Sequence, residues 1–268
     1  MSWAEFAILY IAALLGGIAV APYTLRLIES SGKPIKVSRR KLMLLSFVQQ
    51  AALYAGVVVA GLYASRAVGL GAPYVEWAVT GQAAEKNLAD AVRSALLLGA
   101  VIGVVLLTLD IFLLPRFPAL LEMARKTSLW ENFTASFYGG LNEEFLFRLL
   151  GLSGAAWLIS RLWHTPAGRP IEAVFWMANG AMAVLFGLGH LPAALGIVRQ
   201  ITPLLVIRTL VLNCPLALAC GWLFIGFGIE AAVIAHFTAD IVYHVGGTIL
   251  LRTNDRSNIL PWLSVRRR

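Results

Sequence analysis

The stretch over residues 134–162, TASFYGGLNEEFLFRLLGLSGAAWLISRL, decides the fold. Its apolar length exceeds the about 20 residues that a helix needs to cross hydrocarbon. Yet Glu143, Glu144 and Arg148 sit inside it. On insertion scales an Asp, Lys or Arg at a bilayer centre costs roughly 2.5–3.5 kcal/mol, so ionisable residues in such a stretch persist when they are paired or working.

Six further stretches have the length of a span, giving about 3–28, 42–65, 91–114, 134–162, 171–194, 203–227 and 229–251 in all. Composition agrees: 59% of the 268 residues are hydrophobic, 13% are charged and mean hydropathy is +0.77. A soluble domain needs more charge to cover its surface. The first stretch carries Glu5, lacks a basic start and runs too long for a signal peptide, so it reads as a retained span. The expected fold is all-α, a polytopic transmembrane bundle of about seven spans, with eight allowed. It forms a single membrane domain over 1–268.

The net charge of +8 does not point to nucleic acid, because the basic residues lie between apolar segments. Lys and Arg favour cytoplasmic loops. Arg26, Lys33, Lys36, Arg39, Arg40 and Lys41 cluster between the first two spans, and Arg116, Arg125 and Lys126 follow the third. With Arg199, Arg252, Arg256 and the run Arg266 to Arg268 they define one side. Arg66, Lys86, Arg93, Arg161 and Arg169 fall on the other. This asymmetry predicts the N-terminus outside and the C-terminus in the cytoplasm.

Between the spans, 66–90 reads as an external cap or a short interfacial helix, and 117–133 as one helix lying on the cytoplasmic face. Pro215 is expected to kink the sixth span. Cys214 and Cys220 are six apart on one helix, face different ways and read as packing residues. Asp110 reads as the cytoplasmic end of the third span, and Arg208 as a side chain that snorkels.

Glu144 and Arg148, four apart, share a helix face and can pair, while Glu143 points about 100° away. Arg148 can thus neutralise one carboxylate and leave its neighbour free. The fifth span ends Phe186-Gly187-Leu188-Gly189-His190, a lone histidine that by itself is more often a satisfied polar residue than a catalyst. In the seventh, His236, Asp240 and His244 at i, i+4 and i+8 form one polar stripe, which in lipid must face the bundle interior. A proton or ion pathway is the plain rival for such a stripe. If the three helices converge, carboxylate and imidazole can take a proton from water, and further donors can hold an oxyanion.

Glu143-Glu144-x-x-x-Arg148, Phe186-x-x-x-His190 and His236-x-x-x-Asp240 occur in order on separate spans. The set resembles the CAAX prenyl endopeptidase and bacteriocin-processing family of glutamate-type intramembrane proteases, over a core at about 134–251. That resemblance implies metal-independent hydrolysis of a membrane-associated peptide or protein substrate, lipidated or carrying a C-terminal sorting signal, with no cofactor. It implies that Glu143 and His190 activate water, that His236 and Asp240 hold the oxyanion, and that Glu144 and Arg148 orient Glu143. The expected location is the prokaryotic plasma membrane. The family's third motif is HxxxN or HxxxD; Asp240 stands where its best-understood members place Asn, and an ionised Asp cannot donate to an oxyanion.

Rival readings have weaker footing. Glu, His and Asp are zinc ligands, but the His-Glu-x-x-His signature is absent. Gly151-Leu152-Ser153-Gly154 with His244 fits a rhomboid-like serine protease, yet leaves Glu143, Glu144, Arg148 and His190 unused. A transporter is expected to show paired halves. A catalytically silent scaffold of the same superfamily remains the alternative outside enzymes.

Overall fold

The computed structural model describes residues 2–30, 38–257 and 260, and these are helical apart from turns and one isolated bridge between His164 and Pro170. Lys33, Lys36 and Arg266 to Arg268, part of the basic side read from the sequence, lie outside the described residues.

Among the described residues, five helices are long and apolar enough to cross a membrane. They are α3 (Arg39–Ala67), α5 (Leu88–Leu113) with the 3-10 turn Leu114–Arg116, α9 (Glu172–Val198), α10 (Pro203–Phe227), and the run Ile229–Asp255. That run comprises α11 (Ile229–Asp240), a π-helical segment (Ile241–Val245) and most of α12 (Gly246–Ser257). The first expected span is a pair instead, α1 (Trp3–Ala19) and α2 (Ala21–Ser30), bent by 41°. Counted as one span, the pair makes six. The stretch 134–162 is the remainder: helical backbone continues from α7 (Leu129–Tyr138) through π-helical Gly139–Glu143 and Phe145–Leu152 into α8 (Ser153–Ser160). Its three central charges and its wide turns separate it from the apolar five.

The segment 117–133 is not one helix but two, α6 (Pro118–Lys126) and the start of α7. Ser128 makes the break. Its hydroxyl accepts the Glu131 N–H at 3.1 Å and its own N–H donates to Glu131 Oε2 at 2.6 Å, a reciprocal cap that starts a new helix. Residues 66–90 contain the short helix α4 (Pro73–Thr80), strapped to the start of α11. Tyr74 and Val75 donate their N–H groups to Glu230 Oε1 at 2.9 and 2.8 Å, and Ile229 N–H bonds Gly71 O at 3.0 Å. Gly228, at φ +100°, makes the turn that lets α11 begin there. Helix α10 runs through Pro215 without a break, and α9 passes Pro192 to end four residues beyond its expected limit of 194.

Helix α11 lies close against α5. A Cβ at Gly103 would sit 2.8 Å from Ala239 O, so only glycine permits this approach. The contact sets the depth at which α11 presents His236 and Asp240. Arg208 does not snorkel. Its Nε and Nη2 donate to Asp110 Oδ1 and Oδ2 at 2.9 and 2.8 Å, and Tyr243 O–H donates to Asp110 Oδ2 at 2.7 Å. This largely buried triad ties α10, α5 and the π-helical turn after α11 together.

Candidate active site

The polar groups of three helices meet at a cavity of about 740 Å³, whose walls include Glu143, His190, His236 and Asp240. Glu143 sits on the first π-helical segment, and its Oε1 lies 3.7 Å from His190 Nε2 while Oε2 lies 3.8 Å from His236 Nε2. Both gaps exceed direct hydrogen bonds. Gaps of this size leave a bridging water, not a direct contact, as the way to join the carboxylate to either imidazole.

The two rings are oriented from behind. His190 Nδ1 stands 2.8 Å from Phe186 O, an acceptor only, so this nitrogen carries the hydrogen and Nε2 presents a lone pair to the cavity. His236 Nδ1 is 2.6 Å from Glu144 Oε1, and that same oxygen is 3.1 Å from Arg148 Nη1. Arg148 also donates Nη2–H to Ala217 O at 2.9 Å. Its guanidinium lies over the Phe186 ring, 5.0 Å from the centroid. Phe186 in turn packs against His190 and His236, with centroids 4.6 and 5.8 Å away. The phenylalanine of the second motif is thus the apolar spacer between the cation and both imidazoles.

Glu144 therefore holds His236, not Glu143 as the family pattern implied. The cause is the π-helical backbone. Wide turns place successive residues at a smaller angle than the 100° of an α-helix. The adjacent carboxylates flank one imidazole, Glu144 at Nδ1 and Glu143 at Nε2. Asp240 Oδ1 lies 3.8 Å from His236 Nε2 and 3.8 Å from His244 Nε2.

Gly139, within the quoted stretch, is a further residue of the site. A Cβ there would lie 2.5 Å from Asp240 Oδ2 and 2.9 Å from His236 Nε2. The only signal in the sequence was the Gly139-Gly140 pair preceding the carboxylates, since paired small residues mark close helix approach.

The rivals find less support. Ser153 is buried, donates to Arg148 O at 3.3 Å and does not line the cavity. One atom each of Glu144, Cys220 and His236 lie within 4.8 Å of one another, a spacing a metal ion can use. However, the Arg148 guanidinium stands 3.1 Å from Glu144 Oε1, and its positive charge opposes a second cation beside that carboxylate.

No curated protein and no solved structure matches the chain. Residues 125–242, which hold all three motifs, match the family described as Type II CAAX prenyl endopeptidase Rce1-like, the family that those motifs resemble.

Proposed function

We propose that the chain is an intramembrane endopeptidase that cleaves a peptide bond in a membrane-associated peptide or protein, using water activated by Glu143 and His190. The observation that carries this reading is the Glu143 carboxylate standing 3.7 and 3.8 Å from two imidazoles brought by separate helices, at the wall of a cavity. Glu143 and the His190 Nε2 lone pair are both acceptors, and together they fit the two hydrogens of one water. Glu143 takes the proton as the water oxygen attacks the carbonyl carbon. His236, carrying hydrogen on both nitrogens, gives Nδ1–H to Glu144 and offers Nε2–H to the oxyanion. Asp240 supports the charge on His236, in place of the donor role of an asparagine. Collapse of the intermediate breaks the C–N bond, and Glu143 returns its proton to the leaving amine.

Seven crossings fit this reading, with the stretch 134–162 as the fourth, the N-terminus outside and the C-terminus cytoplasmic. The single domain then has 134–251 as its catalytic core. A lipidated substrate or one with a C-terminal sorting signal suits a cavity whose walls are largely apolar.

The test is a comparison of membrane peptidomes from cells with the wild-type chain and with Glu143→Ala. Products must disappear with the variant. For a substrate so found, Glu143→Ala and His190→Ala each lower cleavage by about 10²–10⁴-fold, the range of general base catalysis, while the protein stays folded in detergent. Full activity in either variant overturns the assignment. Activity lost to a chelator and restored by zinc favours the metal reading.

A further inference from the structure

A second cavity, of about 380 Å³, opens between the start of α9 and the end of α10. Its walls include Phe175, Trp176, Trp222 and Phe227 together with Glu172 and Lys86. This is the end of the bundle away from α6, because α6 packs against the C-terminal half of α9. The Trp176 Nε1–H donates to Glu172 Oε1 at 3.3 Å, holding the carboxylate against an indole edge. Trp222 and Phe227 stand edge to face with centroids 6.4 Å apart. Both tryptophans remain open, at 46% and 43% exposure.

Depth narrows the ligand. Trp176 lies four residues inside the start of α9 and Trp222 five residues before the end of α10. At about 1.5 Å per residue both rings sit roughly 6–8 Å inside the ends of two helices of spanning length, where amphipathic rings of membrane helices gather. A plain aromatic belt requires only amphipathic rings at this depth. Here the rings line a cavity that a carboxylate and an ammonium also line. Aromatic faces beside a carboxylate attract an alkylammonium, and a lysine attracts a phosphate.

We infer that this pocket binds the headgroup of a zwitterionic phospholipid, its ammonium among Trp176, Trp222 and Glu172 and its phosphate at Lys86. The site is separate from the catalytic cluster, and its test reads binding, not cleavage. The full-length protein in a maltoside detergent is titrated with phosphatidylethanolamine and, separately, with phosphatidylglycerol of the same chains, and retained lipid is counted by native mass spectrometry. Phosphatidylethanolamine is expected to be retained more tightly. Trp222→Leu and Glu172→Gln each weaken it by about twofold to fivefold, the range of an exposed cation–π contact, and leave phosphatidylglycerol unchanged. Trp163→Leu, at an exposed tryptophan outside the pocket, changes neither. Equal retention of the two lipids by the wild-type protein overturns the inference, as does a Trp163→Leu loss equal to that of Trp222→Leu. Should Trp222→Leu fail to fold, Glu172→Gln, on an exposed side chain, decides the matter alone.

Discussion

Replacing Gly139 by alanine tests whether the close meeting of the helices is what makes the site. An added Cβ would stand 2.5 Å from Asp240 Oδ2 and 2.9 Å from His236 Nε2, whereas ordinary contact begins near 3.4 Å. The neighbours must therefore move by about 0.9 Å, and His236 has little freedom, being held by Glu144 at 2.6 Å. A displacement of about 1 Å in a catalytic constellation costs on the order of 10²-fold in rate. Cleavage of a peptide identified from the membrane peptidome is expected to slow by about that factor, through the turnover rate more than through apparent affinity. Gly154→Ala supplies the control: it lies on the continuation of the same helix, nothing stands within 4 Å of its Cβ position, and activity should match the wild type. In isolation an alanine there favours the helix by roughly 0.5–1 kcal/mol. If Gly139→Ala cleaves within a few-fold of the wild type, the packing of this glycine against Asp240 and His236 does not set the reaction geometry.

Arg148→Met removes one cation from a buried cluster that holds the Glu143, Glu144 and Asp240 carboxyls, and the melting transition in detergent should fall by the equivalent of about 3–5 kcal/mol. No shift would mean that the pair is dispensable. Asp110→Leu or Arg208→Met alone should destabilise by a similar amount of about 3–5 kcal/mol, and the double variant should recover most of it, because no buried charge is then left alone. Additive losses refute that coupling. Burial raises the Glu131 carboxyl, but hydrogen bonds from Ser128 and Arg26 outweigh it and hold the group below its ordinary 4.5. A depressed folded value means that the stabilisation is present above pH 4.5 and is lost as pH falls through the folded value. Melting temperature of the wild type should therefore drop in that acid window more than that of Glu131→Gln.

Membrane helices and the polar stripe were legible because both follow from local rules. Apolar runs of spanning length need no partner to be recognised, and His236 and Asp240 fall on one face through helical spacing alone. What could not be read were the contacts that join distant helices. Asp110 and Arg208 each resembled an end-of-span charge, and only the packing of α5 against α10 turns them into one pair. The break between α6 and α7 was written in Ser128-x-x-Glu131, a local signal that the apolar pattern on either side concealed. The first expected span divides because Pro22, lacking an N–H, fits the first turn of a new helix after Val20.

The carboxylate pair shows where α-helical reasoning fails at this site. On ideal α-geometry Glu143 and Glu144 diverge, which leaves one carboxylate to Arg148 and the other free, and the family resemblance implies that Glu144 orients Glu143. The π-helical turns keep that division of labour but change its target. Arg148 fixes Glu144, Glu144 fixes His236, and Glu143 remains beside the free nitrogens of two imidazoles. A wide turn costs regular hydrogen bonding in the backbone, and such turns are frequent at functional sites. In lipid the cost is greater, since water cannot satisfy the freed groups. Its persistence where three charges and two glycines meet is what a site needs if adjacent residues must act on opposite sides of one ring.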